Sequence, residues 1–207
     1  GKTTTISMIA GVLPPGRGTV SVAGHDIRTE SFAARQNIGY VPQDLALYEP
    51  LNARQNLRFF GRAYGLSGAL LEERIDWALG IAGLRDRVSE PVKGFSGGMR
   101  RRIDLAGALV INPPVLFLDE PTAGLDPIGA ASFDNLILEL KEALGLTIFL
   151  ITHDLDTLHT ICDRVAVLAD RKVIASGTIE ELLALDHPWI QEYFNGPRGR
   201  AAMAAKG

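Results

Sequence analysis

Two hydrophobic rhythms divide this 207-residue chain. Val115–Leu118 and Thr147–Ile151 are short, nearly continuous apolar runs, the pattern of strands covered on both faces in a parallel sheet. Elsewhere apolar residues recur every three or four positions, as on one face of a helix. Leu57, Phe60, Ala63 and Tyr64, then Leu71, Ile75, Ala78, Leu79 and Ala82, carry this rhythm from Asn52 to about Val88 and predict a helical insert. A further stripe (Ile103, Ala106, Leu109, Val110) predicts a helix from Gly97, and another helix is expected from about Pro127 to Leu144.

The ends of the chain follow the same logic. Ile6, Met8, Ile9 and Ala10 form the apolar side of a first helix, which Gly11 and Pro14-Pro15-Gly16 terminate. Alternation at Thr19–Val22, broken by Gly24, predicts an antiparallel strand and turn within Gly18–Ile27, and Ile38–Val41 a short strand stopped by Pro42. Leu155–Cys162 reads as a helix, Arg164–Ala169 and Lys172–Ala175 as strands around an Asp170-Arg171 turn, and Thr178–Leu185 as a capped helix. Strands alternating with helices imply a layered α/β fold. We expect one domain over 1–195, with a parallel core sheet, an antiparallel β edge and a helical subdomain inserted at about 50–112. Residues 196–207, rich in Gly, Ala and Arg without apolar periodicity, read as a flexible tail.

Composition narrows the function classes. A net charge of −3, with Arg100-Arg101-Arg102 the one tight basic cluster, argues against a nucleic-acid surface, which normally shows a basic excess. The single cysteine, Cys162, rules out an intrachain disulfide and a multi-cysteine zinc site, and its apolar neighbours suit a core thiol. No apolar run reaches the roughly 20 residues of a bilayer span, so a membrane role has to come through a partner.

The chemistry begins with the first residues. Gly1-Lys2-Thr3-Thr4 matches the end of the phosphate-binding pattern G-x-x-x-x-G-K-[ST], in which backbone N–H groups cradle phosphates, the lysine reaches the β/γ oxygens and the hydroxyl ligates Mg²⁺. Four residues alone also fit an ordinary helix start. The apolar run ending in Asp119-Glu120 strengthens the match, because phosphoryl transfer needs a carboxylate on Mg²⁺ where the sheet edge meets the phosphates. Asp119 is placed there, and Glu120 as the general base or water-positioning group.

With three more segments the chain resembles the nucleotide-binding subunit of an ATP-binding cassette (ABC) transporter over essentially its whole length. Gly-Lys-Thr-Thr at 1–4, Val-Pro-Gln-Asp at 41–44, Phe-Ser-Gly-Gly-Met-Arg-Arg-Arg at 95–102, Leu-Asp-Glu-Pro-Thr-Ala-Gly-Leu-Asp-Pro at 118–127 and Leu-Ile-Thr-His-Asp at 150–154 stand in the family's order. The resemblance implies a P-loop NTPase fold, with ATP and Mg²⁺ as cofactors. Gly1, Lys2, Thr3 and Thr4 would hold phosphates, and Thr3, Gln43 and Asp119 the metal. Glu120, His153 and Gln43 would be the catalytic group. Ser96, Gly97 and Gly98 would meet nucleotide bound by a second subunit, and Asp126 would cross the same interface, while also fitting a helix cap before Pro127.

The implied function is ATP hydrolysis at the cytoplasmic face of the inner membrane, driving a hydrophobic or amphipathic cargo through a separate permease. Alternatives from other classes are a cassette ATPase of DNA repair or translation, and a catalytically silent regulatory subunit. The middle of the chain resembles ATPases of drug or polysaccharide exporters, the later part those of phospholipid-trafficking systems. Two departures from the family pattern bear on the site. Met99 stands where glutamine is commonest, and a thioether donates no hydrogen bond. The chain also starts inside the phosphate loop, without the preceding strand, early glycines and adenine-stacking aromatic, so as written it is expected to bind nucleotide poorly.

Overall fold

The computed structural model describes residues 1–169 and 171–196. Asp170 of the expected turn, and the expected tail from 197 onward, lie outside the described residues. In chain order the elements are α1 (Lys2–Ile9), β1 (Ser21–Val22), β2 (His25–Asp26), α2 (Ser31–Gln36), β3 (Ile38–Val41), α3 (Ala53–Ala63), α4 (Gly68–Ala82), α5 (Gly97–Leu109), β4 (Val115–Asp119), α6 (Pro127–Leu144), β5 (Thr147–Ile151), α7 (Leu155–Ile161), β6 (Val165–Ala169), β7 (Lys172–Gly177), α8 (Ile179–Leu183) and α9 (Pro188–Asn195). They fall into two compact units, Thr3–Ile151 and the residues from Thr152 grouped with Gly1–Lys2.

In the larger unit a parallel sheet runs in the order β3-β4-β5. Val41 lies opposite Leu118, and Asp119 opposite Ile151, so the three strands end at one edge. The central strand β4 is buried from Leu116 to Asp119, as its continuous apolar run predicts. β5 departs from that expectation. Like β3 it stands at an end of the three-stranded order, but where β3 is mostly buried its Thr147 and Phe149 are exposed, Phe149 by 43%. An apolar run therefore marks a strand but does not reveal whether both its faces are covered.

On one side of the sheet Ile6 and Ala10 of α1 pack with Val22, Ile27, Ala34, Ile38 and Phe117. The expected strand and turn resolve into the hairpin β1-β2, turned through Ala23 and Gly24, both at positive φ, as two-residue hairpins require. A second core joins Leu57 of α3, Leu71, Ile75 and Leu79 of α4, and Ile103 and Ala106 of α5. α3 opens with a reciprocal capping box between Asn52 and Gln55. Asn56 is fully buried; its amide donates to the carbonyls of Tyr48 (3.2 Å) and Asn52 (3.1 Å) and accepts from Tyr48 N–H (2.8 Å), which fastens the preceding loop to the helix.

In the smaller unit β6 and β7 pair antiparallel, and Leu155, Leu158, Val165, Val167, Leu182, Ile190 and Phe194 share a core. α8 carries the expected capping box between Thr178 and Glu181. Cys162 is half-buried against this core. Periodicity along the sequence predicts neither α2 nor α9. α9 has a legible signal all the same, with Pro188 in its first turn and Ile190 and Phe194 one turn apart and buried. α2 is six residues long, too short for a periodic stripe.

Candidate active site

The phosphate-loop residues form the start of α1. Lys2, Thr3 and Thr4 occupy its first turn, exposed, and Gly1 precedes it with open space where a Cβ would stand. A first turn presents backbone N–H groups that the helix itself leaves unused, and these suit an anion. Further along α1, Ser7 hydrogen-bonds the Tyr40 phenol on β3. Burial pushes that phenol's pKa up, the Ser7 bond partly opposes the rise, and the charge of Asp119 adds to it. Ser7, Tyr40 and Asp119 thus form one neighbourhood.

Asp119 is the last residue of β4 and fully buried. Glu120 follows, half-buried, with its N–H donating to the Ile151 carbonyl at 2.8 Å. Its φ of 47° is a left-handed conformation that a non-glycine residue rarely adopts. Such backbone strain persists only where surrounding bonds hold it, and it concentrates at functional sites. Gln43 emerges two residues beyond Val41, which is in register with Leu118, so Gln43 and the Asp119-Glu120 pair leave the same edge of the sheet on adjacent strands. In open α/β sheets that carboxyl edge is where ligands bind.

Ser96 is the N-cap of α5, its hydroxyl accepting from Met99 N–H at 3.3 Å. Gly97 and Gly98 fill the first turn. Neither has positive φ; a Cβ on Gly97 would make only an ordinary contact, 3.7 Å from Leu125, and one on Gly98 would meet nothing within 4 Å. Among the described residues, no conformation or crowding calls for glycine at either place. Asp126 caps α6, its carboxylate accepting from Gly129 N–H at 2.9 Å with Pro127 in the first turn. The capping alternative for Asp126 is therefore realised.

The arginine triplet is not a basic patch. Arg100 pairs with Glu49 at 3.2 Å and Arg102 donates to Ser132 at 2.8 Å. Arg101 is buried, donating to the carbonyls of Pro42 (2.8 Å) and Gln43 (2.7 Å), with Asp104 3.4 Å away. Burial lowers the Arg101 pKa and pushes the Asp104 carboxyl up to about 6. Sequence reasoning misses this pair. Both stand off the Ile103, Ala106, Leu109 and Val110 stripe of α5, so periodicity carries no signal for them.

His153 lies in the smaller unit with Gly1 and Lys2. It is exposed, just before the Asp154 N-cap of α7, and its carbonyl accepts from the Tyr193 hydroxyl at 3.1 Å. The larger unit brings Gln43, Asp119 and Glu120 to one sheet edge, with Thr3 in the first turn of α1, and presents Ser96–Gly98 and Asp126 at two helix starts. Oxygen donors alone make up the metal set of Thr3, Gln43 and Asp119, which fits the hard cation Mg²⁺.

Comparisons with known proteins bear on the family and the fold. The linearmycin resistance ATP-binding protein LnrL of Bacillus subtilis is 39% identical over 182 residues, 88% of this chain and 58% of that protein. The daunorubicin resistance ATP-binding protein DrrA3 of Streptomyces coeruleorubidus is 42% identical over 184 residues, 89% of this chain and 58% of that protein. The chain thus spans less than two thirds of either relative. Both names are consistent with the exporter-type resemblance of the middle of the chain. Among solved structures, the ATP-binding cassette MJ0796, a dimer in a post-hydrolysis state with ADP and Pi, superposes with a TM-score of 0.74 at 26% identity, over 86% of this chain and 80% of that one. The ABC transporter family's sequence model matches residues 1–123. The chain belongs to the ABC transporter family, with the α/β fold of its ATP-binding cassette.

Proposed function

We propose that this chain binds ATP with Mg²⁺ and hydrolyses it, and that the whole protein uses the energy to export a hydrophobic or amphipathic compound through a separate membrane permease. The observation that carries this reading is the buried Asp119 closing β4, followed by Glu120 held at positive φ. A carboxylate at the carboxyl edge of a parallel strand would suit a metal that neutralises charge on the phosphates, and the next residue suits the attacking water. Thr3, Asp119 and Gln43 would hold Mg²⁺, which neutralises charge on the phosphates. Glu120 takes the proton of a water whose oxygen bonds the γ-phosphorus, while the bond to the β–γ bridging oxygen breaks and ADP and phosphate leave. Gly1, Lys2 and Thr4 would hold the phosphates, and His153 would orient the attack.

Ser96, Gly97 and Gly98 would close over nucleotide held by a second copy or a homologous subunit, and Asp126 would lie in that interface. The two glycines without an intrachain reason support a close approach from outside, and the related cassette solved as a dimer with ADP and Pi supports its being a nucleotide site. Export of an amphipathic compound is supported by relatives named for resistance to linearmycin and daunorubicin. In this reading the permease is a separate partner and the chain lies peripherally at the cytoplasmic face, which the relatives named as ATP-binding proteins support; among the described residues no helix is long and apolar enough to cross a membrane.

Glu120→Gln in the full-length protein tests the assignment. ATP affinity should stay within about threefold while turnover falls by at least about 100-fold, the usual worth of a general base. Turnover near the wild-type rate would remove Glu120 from the mechanism.

A further inference from the structure

The helix that begins with Ser96-Gly97-Gly98 also grips the loop that carries Gln43. Arg101 sits one turn into α5 and is 3% exposed, and its guanidinium donates to two consecutive carbonyls, Pro42 at 2.8 Å and Gln43 at 2.7 Å. Asp104, on the same face and 4% exposed, stands 3.4 Å from Arg101 and accepts the Ala46 N–H. A planar guanidinium spans two adjacent acceptors in a way that a lysine ammonium cannot. The pair therefore fixes the loop at both ends of residues 42–46, on either side of the Gln43 side chain, which points out exposed.

We propose that Arg101 and Asp104 are positioning residues: they lock α5 to the Gln43 loop, so that a movement of the Ser96-Gly97-Gly98 turn is carried into the placement of Gln43. The catalytic consequence rests on the proposed ATP hydrolysis; the mechanical one does not. Stability is a poor explanation for this pair. Two charges taken out of water lose hydration that their mutual attraction repays only incompletely, and apolar residues of similar volume often serve a core as well or better. Burial raises the Asp104 carboxyl toward neutrality, so keeping it ionised beside Arg101 works against folding. What apolar residues could not supply is three directional bonds to the backbone of one loop.

The test compares the full-length protein with four variants: Arg101→Met/Asp104→Leu, which removes the bonds without leaving a lone buried charge, Arg101→Lys, Gln43→Ala, and Gln43→Ala combined with the double substitution. Hydrogen exchange without nucleotide reads the clamp directly. The Ala46 amide should exchange at least about tenfold faster in the double variant, while the amides of α4 and of the rest of α5 keep their protection. ATPase kinetics read the consequence. The double variant should lose about 10- to 100-fold in kcat, the scale of a small misplacement at a reacting centre, with KM changed less than threefold. Arg101→Lys should recover only part of that loss, and in the Gln43→Ala background the same substitutions should change kcat less than twofold.

Unchanged exchange at Ala46 would overturn the clamp. A kcat within twofold of wild type, or losses that multiply fully with Gln43→Ala, would overturn its role in positioning Gln43. A wild-type protein that hydrolyses no ATP would instead refute the proposed function, and the exchange data would still decide the clamp.

Discussion

Asp104 holds its proton to higher pH in the folded chain than in the unfolded one, because burial disfavours its charge more than Arg101 restores it. Unfolded, it titrates near 3.8; folded, at about 6. Between those values the folded state binds more protons, so this group's contribution to unfolding free energy falls as pH rises from about 4 to about 6 and is level above. The total fall is at most about 3 kcal/mol, the free-energy equivalent of raising the carboxyl from 3.8 to about 6. Asp104→Asn, which cannot titrate, should lack that slope, and urea unfolding of both proteins at several pH values between 4 and 7 would show parallel curves if the assignment is wrong. Gly98 supports a prediction of the opposite kind. With nothing within 4 Å of its Cβ direction, Gly98→Ala should stabilise α5 by roughly half a kcal/mol through helix propensity. The same methyl should cut ATP turnover at least about tenfold by obstructing the approach of phosphate. A thermal melt and an ATPase assay together decide it; higher stability with full activity would mean that nothing approaches Gly98. Both arguments depend on what surrounds a residue. Serine and two glycines are recognisable as a motif in the sequence, but Arg101 and Asp104 look there like surface charges, because burial is a property of their neighbours.

At the scale of elements, the loop before α3 depends on a single amide. Asn56 combines full burial with bonds to both sides of residues 48–52. Replacing it by alanine leaves the Tyr48 N–H without its partner and opens a space in the core, while the Tyr48 carbonyl keeps the Leu51 N–H; Asn56→Ala should cost about 2–3 kcal/mol, read as a lower urea midpoint with an unchanged slope. A loss below about 0.5 kcal/mol would show that water replaces the amide there. The element pattern itself is legible where periodicity is long. α3, α4, α5 and α6 carry unbroken stripes and β3 and β4 dense apolar runs, and each lies where that rhythm predicts. Short elements are not legible: α2 has six residues and the hairpin strands two each, so too few side chains repeat for a period to register. β5 shows the other limit. Its residues chose a strand, but what packs against its faces decided its exposure, since β3, also at an end of the three-stranded order, is buried at Ile38, Gly39 and Val41.

For the whole molecule, the composite site predicts association that depends on nucleotide. Full-length Glu120→Gln should double in mass by light scattering when ATP and Mg²⁺ are added, since binding persists without turnover, and Gly98→Asp in that background should remain monomeric while melting within a few degrees of its parent. A mass unaffected by ATP would refute the shared site. The order of the five motifs along the chain, visible in the sequence, determined the family, since residues that must meet one triphosphate leave their spacing in the primary structure. The alternation of strand and helix determined the fold class through backbone periodicity, which is local. Tertiary structure alone decided that Asp119 is buried at the strand edge beside the turn that strains Glu120, and that three consecutive arginines face three different partners. Those outcomes depend on packing between segments far apart in sequence, and no local pattern encodes which charge will be drawn inside and which loop it will hold.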